Sequence, residues 1–312
     1  MKVRDLALAT VVIVLWGINF TVIKLGVGEV PPMLLVTLRF LLAAFPAVFF
    51  VKRPAIHWKY VVAYGATVGV GQFACLFYAI HLGMPAGVAS VVLQAQALFT
   101  ILFARVLFQE KIWIMQGAGL AVAGVGLYFI SRNVGAQQGS MIPAGAFLLT
   151  LVAAFFWGLS NIVVRQASKE AVSQGNKLNM FDMVVWSSLV PPLPMLAVSF
   201  VLEKPDKIWH ALSNINTVAV FSVLYLAFFA TLIGYGIWST LLSKYPAQKI
   251  APLSLLVPVV GLIAAQVFLK ERLSAAQWIG GAIIISGLLL FNFSSFPDKR
   301  MSNNSTKSSN QL

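Results

Sequence analysis

The sequence predicts an all-α integral membrane protein in which ten transmembrane helices form two inverted five-helix repeats. Three observations support this prediction: a composition unsuited to a water-soluble globule, a series of long apolar runs, and matching residues in the two halves of the chain. Of the 312 residues, 59% are hydrophobic and only 10% are charged, whereas about a quarter are charged in an average soluble domain. Most of the protein surface is therefore expected to contact lipid.

Ten charge-poor runs are long enough to cross a bilayer as helices, which takes roughly 20 apolar residues each. The charge-free stretch 60–104 is too long for one helix, and we divide it at His81, Gly83 and Pro85 because proline stops a helix and glycine permits a turn. The runs are too long for outer-membrane strands. The predicted spans are 6–23, 32–51, 60–80, 86–107, 112–131, 142–164, 183–202, 217–242, 250–269 and 275–293.

The net charge of +13 is explained by membrane topology. The basic residues are scattered in ones to threes between apolar runs, which argues against a nucleic-acid-binding surface. Ten spans place both termini on one side, and most of the 22 Lys and Arg residues flank spans on that side, so both termini are expected in the cytoplasm. The single cysteine, Cys75, lies inside an apolar run, so we expect no disulfide framework, metal cluster or cofactor.

The second half of the chain repeats features of the first at two fixed offsets. Because each half holds five spans, an odd number, the two copies are expected to insert with opposite orientation. The larger second offset implies extra length in the second half, which we expect in the polar linker 165–180. The domains are then a first repeat 1–131, a linker 132–141, a second repeat 142–296 and a disordered cytoplasmic tail 297–312. The matches are Trp16, Gly17 and Lys24 with Trp157, Gly158 and Arg165 (offset 141), and Glu110, Gln116, Gly119 and Gly126 with Glu271, Gln277, Gly280 and Gly287 (offset 161).

Several segments resemble the EamA family of the drug/metabolite transporter superfamily, over residues 6–293. The resemblance implies a bacterial inner-membrane exporter of amino-acid metabolites, with cysteine and O-acetylserine as cargo, that works by alternating access around a midplane site between inverted repeats. Its partners would be a small-molecule substrate and the lipid bilayer. The segments that carry the resemblance are PPMLLVTLRFLLAAFPAVFFVKRP, FYAIHLGMPAGVASVVLQAQALFT, YLAFFATLIGYGIWSTLL and APLSLLVPVVGL, with WG..N in the first span.

Two other kinds of protein fit the composition. One is an efflux carrier of broader range, for drugs, other metabolites or other amino acids, although bulky cations would favour an acidic cavity that the spans lack. The other is a membrane scaffold or receptor. An enzyme is not expected, because the sequence has no Asp-rich metal motif, HExxH motif or Ser/His pair within the spans. The sequence carries no signal for the oligomeric state.

Polar side chains inside the spans are the candidate substrate-binding residues, because polar groups are costly in hydrocarbon. Arg39 is the only full charge well inside a span, about 10 Å deep, and no Asp or Glu lies at a comparable depth. Arg39 is either the partner of a cargo carboxylate, or an arginine bonded to helix-end carbonyls or extended toward the headgroups. The neutral polar residues in the spans are Asn19, Gln72, Gln94, Gln96, Ser160, Asn161, Tyr235, Trp238 and Ser254, and all of these except Ser160 are candidates for substrate binding together with Arg39.

The side-chain amides offer donors for a carboxylate and acceptors for an ammonium group, but amides also bond neighbouring helices to each other. Gln94 and Gln96 are two residues apart, which is about 200° around an α-helix, so only one is expected to face a cavity. The lack of a titratable acid or histidine inside the spans predicts facilitated efflux, with coupling through span-end groups such as Asp182 as the alternative.

Overall fold

A computed structural model describes residues 1–110, 114–131 and 142–294, and the regular elements of these residues are helices. The predicted linker 132–141 and tail 297–312 lie outside the described residues. The helices are α1 (Val3–Glu29), α2 (Pro32–Ala44), α3 (Trp58–Tyr64), α4 (Ala74–His81), α5 (Ala86–Val92), α6 (Gln96–Phe108), α7 (Ile114–Ser131), α8 (Ala144–Ser173), α9 (Met180–Ser187), α10 (Pro192–Leu202), α11 (Pro205–Ser213), α12 (Thr217–Leu224), α13 (Gly234–Lys244), α14 (Ala247–Ile250), α15 (Val257–Phe268) and α16 (Ala275–Ser294).

Seven helical runs among the described residues are long and apolar enough to cross a membrane. The pair α9 and α10 passes the same test together but bends by 43°, at a break that includes Pro191. Two shorter apolar helices, Pro252–Phe268 and Ala275–Leu290, occupy the ninth and tenth predicted spans. The helical membrane architecture is thus as expected, while ten crossings remain a prediction. The seven runs are Val3–Glu29, Pro32–Phe49, Trp58–His81, Ala86–Phe108, Ile114–Ser131, Ala144–Ser173 and Thr217–Lys244.

Matching helix distortions occur in the two halves. Residues Gly65–Phe73, between α3 and α4, and Tyr225–Ile233, between α12 and α13, form π-helical segments of nine residues each. A 3₁₀ segment, Leu93–Ala95, links α5 to α6, and a second, Ala251–Leu256, precedes α15. The π segments begin 160 residues apart and lie in the third and eighth predicted spans, so these distortions recur at nearly the offset of the sequence matches.

The helices α7 and α16 cross through reciprocal glycine contacts. A Cβ atom on Gly126 would lie 2.6 Å from the Gly280 carbonyl oxygen, and one on Gly287 would lie 2.6 Å from the Gly119 carbonyl oxygen. At offset 161, Gly119 is equivalent to Gly280 and Gly126 to Gly287. Replacing each glycine by its equivalent therefore turns the first contact into the second. Such self-complementary contact is what a two-fold axis between equivalent elements produces.

Carboxylates connect the helix ends on both faces of the bundle. We call the face where α1 begins the N-terminal face. On the opposite face Glu29 accepts a hydrogen bond from Asn216 at the start of α12 (2.6 Å), and Glu203 accepts one from the Met33 backbone N–H in α2 (2.6 Å). On the N-terminal face Glu170 accepts from the His57 backbone N–H at the start of α3 (2.7 Å). Glu203 thus satisfies an N–H of the first turn of α2 that has no partner within the helix, while Glu29 and Glu170 bind the residues that immediately precede α12 and α3.

The extra length of the second half is distributed differently from our expectation. The segment predicted as the linker 165–180 is helical through Ser173, because α8 extends to that residue. A further helix, α11, lies between the seventh and eighth predicted spans, with Ile208 buried and Trp209 63% exposed. The first half has no α-helix in the corresponding connection between α2 and α3. Part of the added length is therefore this amphipathic helix.

Candidate substrate cavity

A cavity of about 420 Å³ lies in the middle of the bundle, between the helices of the two halves. We call it the central cavity. All nine predicted substrate-binding residues line it, whereas Ser160, the other polar residue singled out in the spans, does not. Its lining also includes Met180 and Leu242, which lie near helix ends on the N-terminal face. The nine residues are Asn19, Arg39, Gln72, Gln94, Gln96, Asn161, Tyr235, Trp238 and Ser254.

The charge of the central cavity comes from Arg39. Among the described residues that line it there is no carboxylate, in agreement with the absence of acids from the middle of the spans. Asp182, the nearest acid to a span in the sequence, is not part of the lining and accepts a hydrogen bond from Asn179 (2.8 Å). An anionic group entering this cavity would therefore meet an uncompensated cation.

Arg39 is buried, with 2% of its surface exposed. Its Nη2 donates to Thr231 Oγ1 (3.2 Å), and its Cζ lies 3.9 Å from the centroid of the Phe73 ring, with Phe40 and Phe77 at 5.6 and 5.9 Å. One interpretation of the sequence was that the guanidinium bonds helix-end carbonyls or extends to the headgroups. In the structure it does neither. It is held by an aromatic cage, defined here as Phe40, Phe73 and Phe77.

The two π segments position the groups that hold Arg39. Phe73 closes the first π segment, and Thr231 lies within the second. The Thr231 hydroxyl donates to the Leu226 carbonyl five residues earlier (2.8 Å), the spacing that a π turn favours. This bond orients the hydroxyl oxygen so that it accepts from Arg39. The distorted helices of both halves therefore meet at one arginine.

Several polar atoms near the cavity have no hydrogen-bond partner among the described residues. They are Nε and Nη1 of Arg39, Oδ1 of Asn19 and Oε1 of Gln72. All four atoms are buried, and a buried polar atom without a hydrogen bond costs free energy, so each would gain from a ligand that supplies a partner. Two are cationic donors and two are carbonyl acceptors, which is the complement of a group carrying both a carboxylate and an ammonium.

Asn19 and Asn161 lie in repeat-related helices, three residues after Trp16 and four after Trp157, but their surroundings differ. The Asn161 Nδ2 donates to Gln96 Oε1 (2.7 Å) and to Thr100 Oγ1 (3.0 Å), both on α6. These bonds join α8 to α6 across the cavity wall, so Asn161 connects helices, whereas the Asn19 carbonyl is unpartnered. The sequence left these two uses of an amide open for both residues; both line the cavity, so substrate contact stays a prediction for each, while helix contact is observed for Asn161.

Gln94 and Gln96 both line the central cavity, contrary to our expectation that only one would. The reason is the 3₁₀ segment Leu93–Ala95, which lies between α5 and α6. A 3₁₀ helix has about three residues per turn, so side chains two residues apart are about 120° apart around its axis, measured the shorter way. In an α-helix the corresponding angle is about 160°. The tighter turn therefore brings both side chains to the same wall.

Aromatic residues form much of the remaining wall, and sequence reasoning did not select most of them. The Trp16 ring centroid lies 5.2 Å from those of Tyr235 and Trp238, and its Nε1 donates to the Ala230 carbonyl (2.9 Å). Trp157, the counterpart of Trp16 at offset 141, lines the same cavity. The recurrence of this tryptophan in both halves was the sequence signal that could have identified it.

Comparisons with known proteins agree with this architecture. The chain matches the EamA-like transporter family over residues 5–132 and 144–293. It is 44% identical over 291 residues to a protein of Escherichia coli (strain K12) named "Probable amino-acid metabolite efflux pump", covering 93% of this chain and 95% of that protein. A protein of the same name from Salmonella typhimurium (strain LT2) is 46% identical with the same coverage.

A solved structure shares the fold. It superposes with a TM-score of 0.61 over 95% of this chain and 98% of that chain, at 17% sequence identity, and is titled only "Crystal structure of protein". At that identity the likeness concerns the arrangement of the helices.

Proposed function

This chain belongs to the EamA-like transporter family, and we propose that it exports amino-acid metabolites across the bacterial inner membrane, with cysteine and O-acetylserine as its expected cargo. The central cavity is the proposed binding site, and the ten spans form two inverted repeats around it. The matched glycine contacts and the paired helix distortions support this repeat arrangement.

One observation carries the proposal: a buried cation and unpartnered amide oxygens occur together at a cavity without carboxylates. The carboxylate of an amino acid would draw the Arg39 guanidinium away from the Phe73 ring and accept from its free Nε and Nη1. The ammonium would donate to Asn19 Oδ1 and Gln72 Oε1. A zwitterion thus satisfies both kinds of atom without introducing a net charge.

The proposed orientation places the N-terminal face in the cytoplasm, as the distribution of Lys and Arg predicts. Since the cavity lining continues to Met180 and Leu242 near that face, cargo would enter from the cytoplasm. Alternating access would then open the cavity on the other face. Because the described lining contains no acid, the proposed transport is facilitated efflux down the cargo gradient.

The direct test is the amino-acid content of the medium from cells that overexpress or lack the protein. Overexpression is expected to raise external cysteine and O-acetylserine, and deletion to lower them. Arg39→Ala is expected to abolish the difference at unchanged abundance in the membrane. The matched control is Ser160→Ala, since Ser160 is buried in α8 and bonds the Trp157 carbonyl but is not part of the cavity lining.

Two results would contradict the proposal. If no amino acid changes in the medium, the exported class is wrong, and release of dyes or drugs instead would indicate the broader efflux carrier. If a pH gradient imposed on proteoliposomes drives cargo uphill, and Asp182→Asn removes that effect, the uncoupled mechanism is wrong.

A further inference from the structure

The loop between α15 and α16 reaches across the opposite face to the start of α5. There the Glu271 carboxylate accepts hydrogen bonds from the backbone N–H groups of Ala86 (2.8 Å) and Gly87 (3.1 Å). These N–H groups have no acceptor within their own helix, so a carboxylate that takes both of them is a strong contact. It joins the second half of the chain to the first at a partly buried position.

The helix held in this way leads directly to the central cavity. The run that begins with α5 continues through Leu93–Ala95, and its Leu93, Gln94 and Gln96 line the cavity. Within α5, the Ser90 hydroxyl lies 3.3 Å from the Pro258 carbonyl oxygen of α15. This end of the cavity wall is thus packed against α15 and held by the loop that follows α15.

Glu110 is the counterpart of Glu271 at offset 161, on the N-terminal face. The residues before them, Gln109 and Lys270, share the same left-handed backbone conformation, with φ 55° in both. The two turns are therefore built alike, but their acids make different contacts. Glu110 pairs with the Arg165 side chain, and both partners are substantially exposed.

We propose that Glu271 is a positioning residue for transport: its contact with the start of α5 keeps the central cavity closed on the opposite face, and Glu110 acts equivalently at the N-terminal face in the other state. In a pair of inverted repeats, changing the open face exchanges the conformations of the two halves. In the present structure Glu271 binds a helix start while its equivalent, Glu110, binds an exposed arginine. After the exchange, Glu110 would bind a helix start and Glu271 would be released. The proposal rests on the proposed transport function, but the contact itself can be tested without cargo.

The test measures access to α5 from the opposite face, which the proposed topology places outside the cell. In the full chain with Cys75→Ala, Ala89→Cys introduces a reporter one turn into α5, at a position with 0% exposure. A membrane-impermeant maleimide is added to cells in the absence of cargo. Glu271→Gln is expected to raise the labelling rate about tenfold, because the amide has one acceptor oxygen and no charge.

Two matched variants separate closure from general loosening. Glu203→Gln also removes a carboxylate that binds a helix N-terminus on this face, but at α2, and is expected to leave the labelling rate of Ala89→Cys unchanged. Glu110→Gln is expected not to raise it. Equal labelling of the parent and Glu271→Gln, or an equal rise with Glu203→Gln, would overturn the proposal.

A second route removes the donor and leaves the acid intact. Ala86→Pro eliminates one N–H bound by Glu271 at the first helical position, where proline is tolerated. It is expected to raise labelling about threefold, and no rise would contradict the proposal even if Glu271→Gln fails to fold. Labelling needs no cargo, so the two proposals fail separately. A change in labelling rate in a protein that exports no amino acid would refute the proposed function alone. Amino-acid export with no change in labelling rate would refute the role of Glu271.

Discussion

The cage around Arg39 makes a quantitative prediction about how a buried cation is tolerated. Phe73→Leu removes the ring whose centroid lies 3.9 Å from Arg39 Cζ. A desolvated cation–π contact contributes about 2 kcal/mol. A double-mutant cycle that combines Phe73→Leu with Arg39→Met isolates this term, since methionine keeps an unbranched side chain without the charge. We expect a coupling energy of about 2 kcal/mol, or about 30-fold in the unfolding equilibrium.

The cycle is measured by equilibrium unfolding of the four purified proteins in detergent micelles with increasing dodecyl sulfate. Phe40→Leu provides the matched control, because its ring centroid is 5.6 Å from Arg39 Cζ, and its coupling is expected near 0.5 kcal/mol. A coupling below about 0.5 kcal/mol for Phe73 would refute the cage and leave Thr231 as the main support of Arg39.

The same cycle contains a second expectation. Two nitrogen atoms of Arg39 are buried without a partner, and an uncompensated buried charge costs stability. Arg39→Met alone is therefore expected to leave the free energy of unfolding unchanged or to raise it while export is lost. A large loss of stability would instead indicate that Arg39 serves packing.

Three further predictions concern packing, amides and pH. Gly126→Leu is expected to cost about 1–3 kcal/mol or more of stability, because even a Cβ would lie 2.6 Å from the Gly280 carbonyl oxygen, whereas Gly124→Leu meets open space and is the control in thermal unfolding. Asn161→Ala is expected to lower stability through its lost bonds to Gln96 and Thr100, while Asn19→Ala lowers export at unchanged melting temperature; the reverse order would exchange their roles. The Arg165 side chain lowers the pKa of the Glu110 carboxyl below its usual value of 4.5, so its stabilisation is present above that value and is lost as pH falls through the lowered pKa, and Glu110→Gln is expected to remove this part of the pH dependence of melting.

The sequence predicted much of the fold because membrane solvation imposes simple rules on it. Long apolar runs specify helices directly, and a rare polar group within such a run stands out against hydrocarbon. That logic selected nine binding candidates from seven of the predicted spans, and the structure brings all nine to one cavity. Whether they bind cargo remains a prediction, because lining a cavity and contacting a ligand are different properties.

Other features were not predictable from single residues. Phenylalanine is common in this chain, with 23 copies, so nothing in the sequence distinguishes Phe73 from a lipid-facing ring. The π segments that position Phe73 and Thr231 depend on packing between distant helices rather than on local propensity. The same is true of the turn that brings Gln94 and Gln96 together, since regular α-helical spacing predicts that they diverge.

The reciprocal glycine crossing of α7 and α16 has a consequence for biogenesis. The partner of α7 is the final helix described, so ribosomal synthesis must proceed for more than 140 further residues before α16 is available. Until then the glycine face of α7, which contains Gly119 and Gly126, has only lipid or a neighbouring nascent segment against it. The crossing can therefore form only after nearly the whole chain has been translated, so premature termination before residue 275 would leave this face open to quality-control proteases.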